Sequence, residues 1–181
     1  LDFNFAAGNR HVKYKDELNE FHGNSACQIV TSGPDNEWPS IKDGFLKMIS
    51  STKESIYIET PYFIPDDSVL ESLRVAILSG VNVKLLLTFK GDHPFVFWAS
   101  LSFAGKILEA GGEVYFYKNG FQHSKVIIMD NKMVSMGTAN MDVRSFQLNF
   151  EANAFIYDEE IAKKFSEKFI QDIRENSYSL T

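Results

Sequence analysis

A chain of 181 residues, 44% of them hydrophobic, can bury a core as one domain of ordinary size. Its 24 acidic and 18 basic residues leave a formal charge of −6, which repels polyanions at long range and argues against nucleic acid as a partner, because that binding is carried by basic patches. The lone cysteine excludes an internal disulfide, and no run reaches the ~18 apolar residues of a membrane span.

No secretory signal pattern opens the sequence, and Leu1 in place of Met is what a piece of a longer protein would show. The piece itself is expected to be soluble. Residues 1–24 mix charged, aromatic and small residues without a period, so they are expected to form a linker or loose extension ahead of a single domain over residues 25–181. Cys27 is expected to be small, apolar and buried. Gln28, Ile29 and Val30 make a short strand closed by the turn signal Ser32-Gly33-Pro34. Ile41, Phe45, Met48 and Ile49 have helical spacing over residues 40–49. Residues 55–59 form a β-type run ended by Thr60-Pro61. Asp66 and Asp67 suit a helix start, where carboxylates satisfy free backbone donors, and that helix ends near Gly80. A strand follows over 81–89, then a helix from Pro94 to Ala110 stopped by Gly111-Gly112. Strands are expected over 114–117, 121–129, 133–136 and 152–157, and a closing helix over 159–174 with the stripe Ile161, Phe165, Phe169, Ile170 and Ile173. Strands alternating with helices imply a layered α/β fold. The turn Asp130-Asn131-Lys132 makes its flanking strands antiparallel, so the sheet is expected to be mixed.

The chemistry is concentrated late in the chain. His123 and Lys125 are two apart, so a strand would present both on one face. An imidazole beside an ammonium is poorly suited to a core, where nothing balances the charge, and well suited to holding an anion. Asp130 has the opposite parity and is expected to hold the following turn or bond backbone amides. Gly137-Thr138-Ala139-Asn140 offers small residues, a hydroxyl and an amide, a turn that can bring donors near a phosphate oxygen. Glu151 follows eleven residues later.

These positions match the pattern H-x-K-x4-D-x6-G-x-x-N, and the chain resembles the phospholipase D superfamily. The resemblance implies a mixed sheet flanked by helices on both faces. It implies a site in which one motif histidine attacks phosphorus to form a phosphohistidine while another protonates the leaving oxygen. Carried onto this sequence, it makes His123 nucleophile or general acid, Lys125 and Asn140 phosphate ligands, Asp130 the motif's structural carboxylate, and Glu151 the acceptor of the histidine Nδ1 proton. Gly137 and Thr138 would support the phosphate. Neither metal nor cofactor is implied, and no histidine–cysteine ligand cluster stands out. The family site needs two motifs facing each other. His11-Val12-Lys13 begins a second but has Leu18 where the aspartate belongs, and His22 has no lysine partner. The chain is therefore expected to supply half a site, completed by an N-terminal domain of the same parent chain or by a second copy.

Within the superfamily, Glu59-Thr60-Pro61-Tyr62-Phe63-Ile64-Pro65-Asp66 resembles a signature of cardiolipin synthases. So do Gly91-Asp92-His93-Pro94-Phe95-Val96-Phe97-Trp98-Ala99-Ser100 and the run from Gly137 through Arg144-Ser145-Phe146 to Asn149-Phe150-Glu151. Tyr62 and Phe63 follow a strand, where α/β folds place their sites, and are expected to contact substrate, although turn packing explains them nearly as well. Phe95, Phe97, Trp98 and Phe103 are read either as a buried helix face or as the lining of an acyl-chain entrance. His93 is read as a capping or satisfied histidine in preference to a catalyst, and Glu59 as a strand-end carboxylate in preference to a partner that supports the base. The resemblance implies a phosphatidyltransferase acting on phosphatidylglycerol, with the parent enzyme at the bacterial cell membrane and this domain of cytoplasmic type. A phospholipase D-type hydrolase, a homodimeric nuclease and an inactive isolated half are the alternatives.

Overall fold

The computed structural model describes residues 23–89 and 94–180. The expected extension over 1–22, with His11 and His22, lies outside the described residues, as does His93.

The described residues form ten strands and five helices: β1 (Ala26–Ser32), α1 (Ser40–Ser51), β2 (Ser55–Glu59), β3 (Phe63–Ile64), α2 (Asp67–Leu78), β4 (Asn82–Thr88), α3 (Pro94–Glu109), β5 (Glu113–Tyr117), β6 (Val126–Met129), β7 (Met133–Gly137), β8 (Met141–Asp142), α4 (Val143–Gln147), β9 (Glu151–Tyr157), α5 (Glu159–Glu175) and β10 (Ser177–Leu180). Eight strands form one mixed sheet in the order β1-β9-β7-β6-β2-β4-β5-β10, and β3 pairs with β8 apart from it. The strands β2, β4 and β5 are parallel, and the remaining neighbours in the sheet are antiparallel.

Alternation along each strand sends side chains to two separate cores. Ile56, Ile58, Ile127 and Phe155 face α1, α2 and α3, where Phe45 meets Phe146 edge to face at 6.1 Å. Tyr57, Val126, Ile128 and Val134 face α5, and Tyr57 stacks on Phe169 with ring centroids 4.9 Å apart. Helices thus cover both faces, and complete burial of a side chain such as Phe169 contributes roughly 1.5–3 kcal/mol. The helices begin where expected. Asp66 accepts the Val69 amide at 3.0 Å and Asp158 the Ile161 amide at 3.0 Å. Gly80 and Gly111 follow α2 and α3 with φ of +91° and +99°, the left-handed conformation that releases a chain from a helix.

Three expectations change. The strand expected over 121–129 begins only at Val126, because its neighbours run out there: Glu59, the last residue of β2, pairs with Val126, and Met136 flanks it on the other side. Cys27 is exposed instead of buried, because β1 is an edge strand. The aromatic start of α3 is divided. Phe97 and Phe103 pack on the core, whereas Phe95 is 90% and Trp98 64% exposed.

Candidate active site

The registers bring one end of the sheet together from distant parts of the chain. Glu59 and Thr88 end their strands there, Val126 begins β6, Gly137 ends β7 and Glu151 begins β9. An open cleft of about 610 Å³ lies at this end, lined among others by Glu59, His123, Lys125, Gly137 and Lys168. His123 and Lys125 stand on the unpaired segment leading into β6, not within a strand as their spacing suggested. The imidazole is exposed and stacks on Phe121, with centroids 5.5 Å apart. The Lys125 ammonium donates to the His123 carbonyl at 2.9 Å, which ties the two residues together through the backbone. Burial pushes the Lys125 ammonium below its ordinary range, and the carboxylates of Glu151 and Asp142 oppose that shift. Among the described residues the ammonium forms no ion pair with either carboxylate, which leaves it able to meet an oxyanion that enters the cleft.

The turn after β7 is built with little tolerance. A Cβ on Gly137 would collide with the Ala152 carbonyl and with Asn153, so only glycine lets β7 lie this close to β9. Thr138 donates its amide to the Ala152 carbonyl at 3.0 Å and accepts the Ala152 amide on its hydroxyl at 2.9 Å. Its hydroxyl extends the ladder, which makes it a brace of the turn. The Ala139 amide donates to Asn153 at 3.2 Å, the Asn140 amide to Ser145 Oγ at 3.1 Å and the Met141 amide to Thr60 Oγ1 at 3.2 Å. The backbone around Asn140 is therefore held by side chains from three other elements. Its side-chain Oδ1 is buried and has no hydrogen-bond partner among the described residues. A buried acceptor left unpaired is costly, and its amide partner Nδ2 is the atom able to donate to an oxyanion.

Glu151 is buried, accepts the Asn149 side-chain amide at 3.2 Å and lies near Lys125. Among the described residues it makes no hydrogen bond to His123. Asp130 sits apart from the cleft, at the far end of β6. Its carboxylate accepts the backbone amides of Lys53, Glu54 and Ser55 at 2.9, 2.8 and 2.8 Å, and its φ of 50° with that of 54° at Asn131 forms the turn into β7. Tyr62 is half-buried between β2 and β3, and its carbonyl accepts the Thr60 hydroxyl at 2.8 Å. Phe63 departs from expectation. It is 0% exposed and packs within the larger core, so it has no surface to offer a substrate.

Glu59 is the residue that sequence reasoning undervalued. At the end of β2 it lines the cleft beside Lys168 and accepts Gln122 Nε2 at 3.0 Å. Burial pushes its carboxyl up to about 7, assisted by the charge of Asp172 and opposed by the Ser124 hydroxyl, Lys168 and Gln122. Thr60 and Ser145 stood out only as members of longer runs, and Asn153 passed unremarked. The one signal for Asn153 is a polar residue two positions after Glu151, on the inward parity of an apolar strand. Among the described residues, no group of three or more His, Cys, Asp or Glu side chains converges as metal ligands do.

A family profile described as "Cardiolipin synthase, PLD-like domain" matches residues 45–173. A cardiolipin synthase of Staphylococcus aureus (strain Mu50 / ATCC 700699) is 52% identical over 181 residues, an alignment covering 98% of this chain and 36% of that protein. The major cardiolipin synthase ClsA of Bacillus subtilis (strain 168) is 58% identical over 151 residues, covering 83% of this chain and 31% of that protein. The chain spans about a third of the length of these relatives. Among solved structures, the phospholipase D family member Nuc from Salmonella typhimurium superposes with a TM-score of 0.73 at 24% identity, covering 87% of this chain and 99% of that one. The phosphatidylserine synthase of Haemophilus influenzae Rd KW20 gives a TM-score of 0.65 at 16% identity, covering 86% and 40%. At such identities these two show a shared fold. Motif spacing, sheet architecture and a profile match across most of the sequence agree, and the chain belongs to the family of cardiolipin synthase PLD-like domains.

Proposed function

We propose that this chain is the C-terminal catalytic half of a cardiolipin synthase, a phosphatidyltransferase that joins two phosphatidylglycerol molecules. The observation that carries this reading is a single His123–Lys125 pair opening on a cleft, in a chain that covers only about a third of relatives bearing that name. The second motif comes from a preceding domain of the same protein or from another copy. One motif imidazole attacks phosphorus of the first phosphatidylglycerol. A P–N bond forms, the P–O bond to glycerol breaks, and the facing imidazolium gives its proton to the departing glycerol oxygen. The facing imidazole then takes the proton of a hydroxyl on the second phosphatidylglycerol, whose oxygen attacks phosphorus and breaks the P–N bond. Lys125 and Asn140 hold the non-bridging oxygens, where their value is greatest as charge builds up. No metal takes part in this scheme. The substrates are lipids, so the parent enzyme works at the bacterial membrane surface. Among the described residues no helix is long and apolar enough to cross a membrane.

The test is to supply the two-motif protein with phosphatidylglycerol and measure cardiolipin and glycerol together. His123→Ala is expected to lower turnover at least ~10³-fold, with stability changed by less than ~0.5 kcal/mol because the side chain is exposed. Release of phosphatidic acid in place of cardiolipin would make the protein a hydrolase, and cleavage of DNA would make it a nuclease. Retention of more than a few per cent of activity in His123→Ala would remove the assigned role.

A further inference from the structure

The segment from Phe121 to Lys125 carries His123 but belongs to no strand, so ladder hydrogen bonds do not set the position of the imidazole. The Lys125 carbonyl accepts the Gly137 amide at 3.3 Å, which fixes only the segment's last residue. What grips the middle of the segment comes from β2. Gln122 donates to Glu59 at 3.0 Å, and the Ser124 hydroxyl lies beside the same carboxyl, placed to donate to it. These two residues are the neighbours of His123 on either side. The other polar atom of the Gln122 amide, Oε1, is buried without a hydrogen-bond partner among the described residues, so the bond to Glu59 alone orients that side chain.

We propose that Glu59 is a positioning residue for His123, clasping Gln122 and Ser124 so that the imidazole is presented to the cleft in one place. The inference rests on the reading of His123 as a reacting imidazole, and it adds a residue from a strand more than sixty positions earlier. Glu59 is suited to the task because it ends a central strand of the sheet and pairs with Val126, the first residue that the ladder holds after the segment. Its anchor is therefore rigid where the segment is not. The charged groups that act on it are Lys168 and Asp172 from α5, while Tyr117 from the end of β5 and His123 and Lys125 from the segment line the same cleft. Asp172 is engaged by Lys168 at 2.8 Å and by the Asn176 side chain at 3.0 Å. Ionised, the Glu59 carboxylate accepts from both clasped residues; protonated, it keeps one acceptor oxygen and gains a donor.

Two measurements test this. In the chain itself, amide hydrogen exchange at Gln122, His123 and Ser124 is expected to quicken at least about tenfold in Glu59→Ala, while Glu59→Gln, which keeps an acceptor, stays within about threefold of wild type. In the two-motif enzyme, Glu59→Ala is expected to lower kcat roughly 10- to 100-fold with KM changed less than about threefold, because a misplaced imidazole costs reaction more than binding. Glu59→Gln is expected to rescue most of kcat and to flatten the limb of the pH profile near 7. If Glu59→Ala does not fold, the pair Gln122→Ala and Ser124→Ala removes the clasp and keeps the carboxyl, and must show the same exchange and kcat effects. Unchanged exchange and unchanged kcat in the folded variants would overturn the proposal. The underlying reading fails separately, by activity surviving His123→Ala, an outcome the exchange measurement does not depend on.

Discussion

Replacing Glu59 with glutamine should stabilise the fold, and the gain should depend on pH in a stated direction. Burial raises the carboxyl from 4.5 to about 7 in the folded chain, so folding favours the neutral acid. At pH 4 the folded and unfolded forms are both protonated and ionisation costs nothing. Between pH 4.5 and 7 the unfolded chain loses the proton while the folded chain keeps it, so stability falls as pH rises. Above 7 the full cost is present. That rise, from 4.5 to about 7, corresponds to roughly 3 kcal/mol. Glutamine has nearly the same shape, accepts a hydrogen bond and never ionises. Urea unfolding of both proteins at pH 4, 6 and 8 isolates the effect, because titrating groups that do not interact with Glu59 cancel in the difference. The glutamine variant should match wild type at pH 4 and exceed it by up to about 3 kcal/mol at pH 8. A difference that stays the same at all three pH values would refute the reasoning, since it would mean that Glu59 titrates alike in both states.

Asp130→Ala strands three backbone amides and should cost about 2–4 kcal/mol at pH 7 by thermal unfolding, with Asp130→Asn losing less. Burial alone would raise the Asp130 carboxyl, but the amides of Ser55, Lys53 and Glu54 outweigh it and hold the carboxyl below its usual value of 3.8. Its contribution is therefore present above that value and lost as pH falls through the folded range, so wild type and Asp130→Ala should converge in melts taken at decreasing pH. Gly137→Ala should destabilise by about 1–3 kcal/mol in urea, because the new methyl meets backbone that cannot rotate away. Phe63→Ala should cost about 3–5 kcal/mol while leaving KM of the folded enzyme unchanged, a result that separates core packing from substrate contact. Trp98→Ser, on an exposed helix face, should shift stability by less than about 0.5 kcal/mol in the same assay.

Long periodic stretches were legible because one physical signal dominated each. The stripe Ile161, Phe165, Phe169 outlines α5 directly, and Asp66 marks the start of α2 by the amide it caps. The pairs β3 and β8 escaped because two residues carry no period, and β10 because Ser177–Leu180 is a polar edge. The overlong strand at 121–129 shows a different limit. Its residues suit a strand, but pairing partners decide where a strand starts, and they end at Val126. Motif spacing picked out His123, Lys125 and Asn140, whereas Glu59 was read as a strand-end carboxylate because its neighbours Gln122 and Ser124 are distant in sequence and close only once β2 lies beside β6. Phe63 illustrates the reverse: an aromatic after a strand looks available until the pairing of β3 with β8 places it in the interior.

The four residues between Lys125 and Asp130 are β6 itself, Val126–Met129. The motif interval from Lys125 to Asp130 is thus a ruler about 17 Å long, with a phosphate-holding ammonium at one tip and a fold-fastening carboxylate at the other. Lengthening it by one residue would turn Val126, Ile127, Ile128 and Met129 to the wrong sides and pull Asp130 from the start of β2, so a viable insertion here must come in compensated form. A chain that had lost its imidazole would still need the same interval to assemble. Scanning for this spacing therefore detects an architecture, and whether that architecture can react depends on what occupies the ruler's open end.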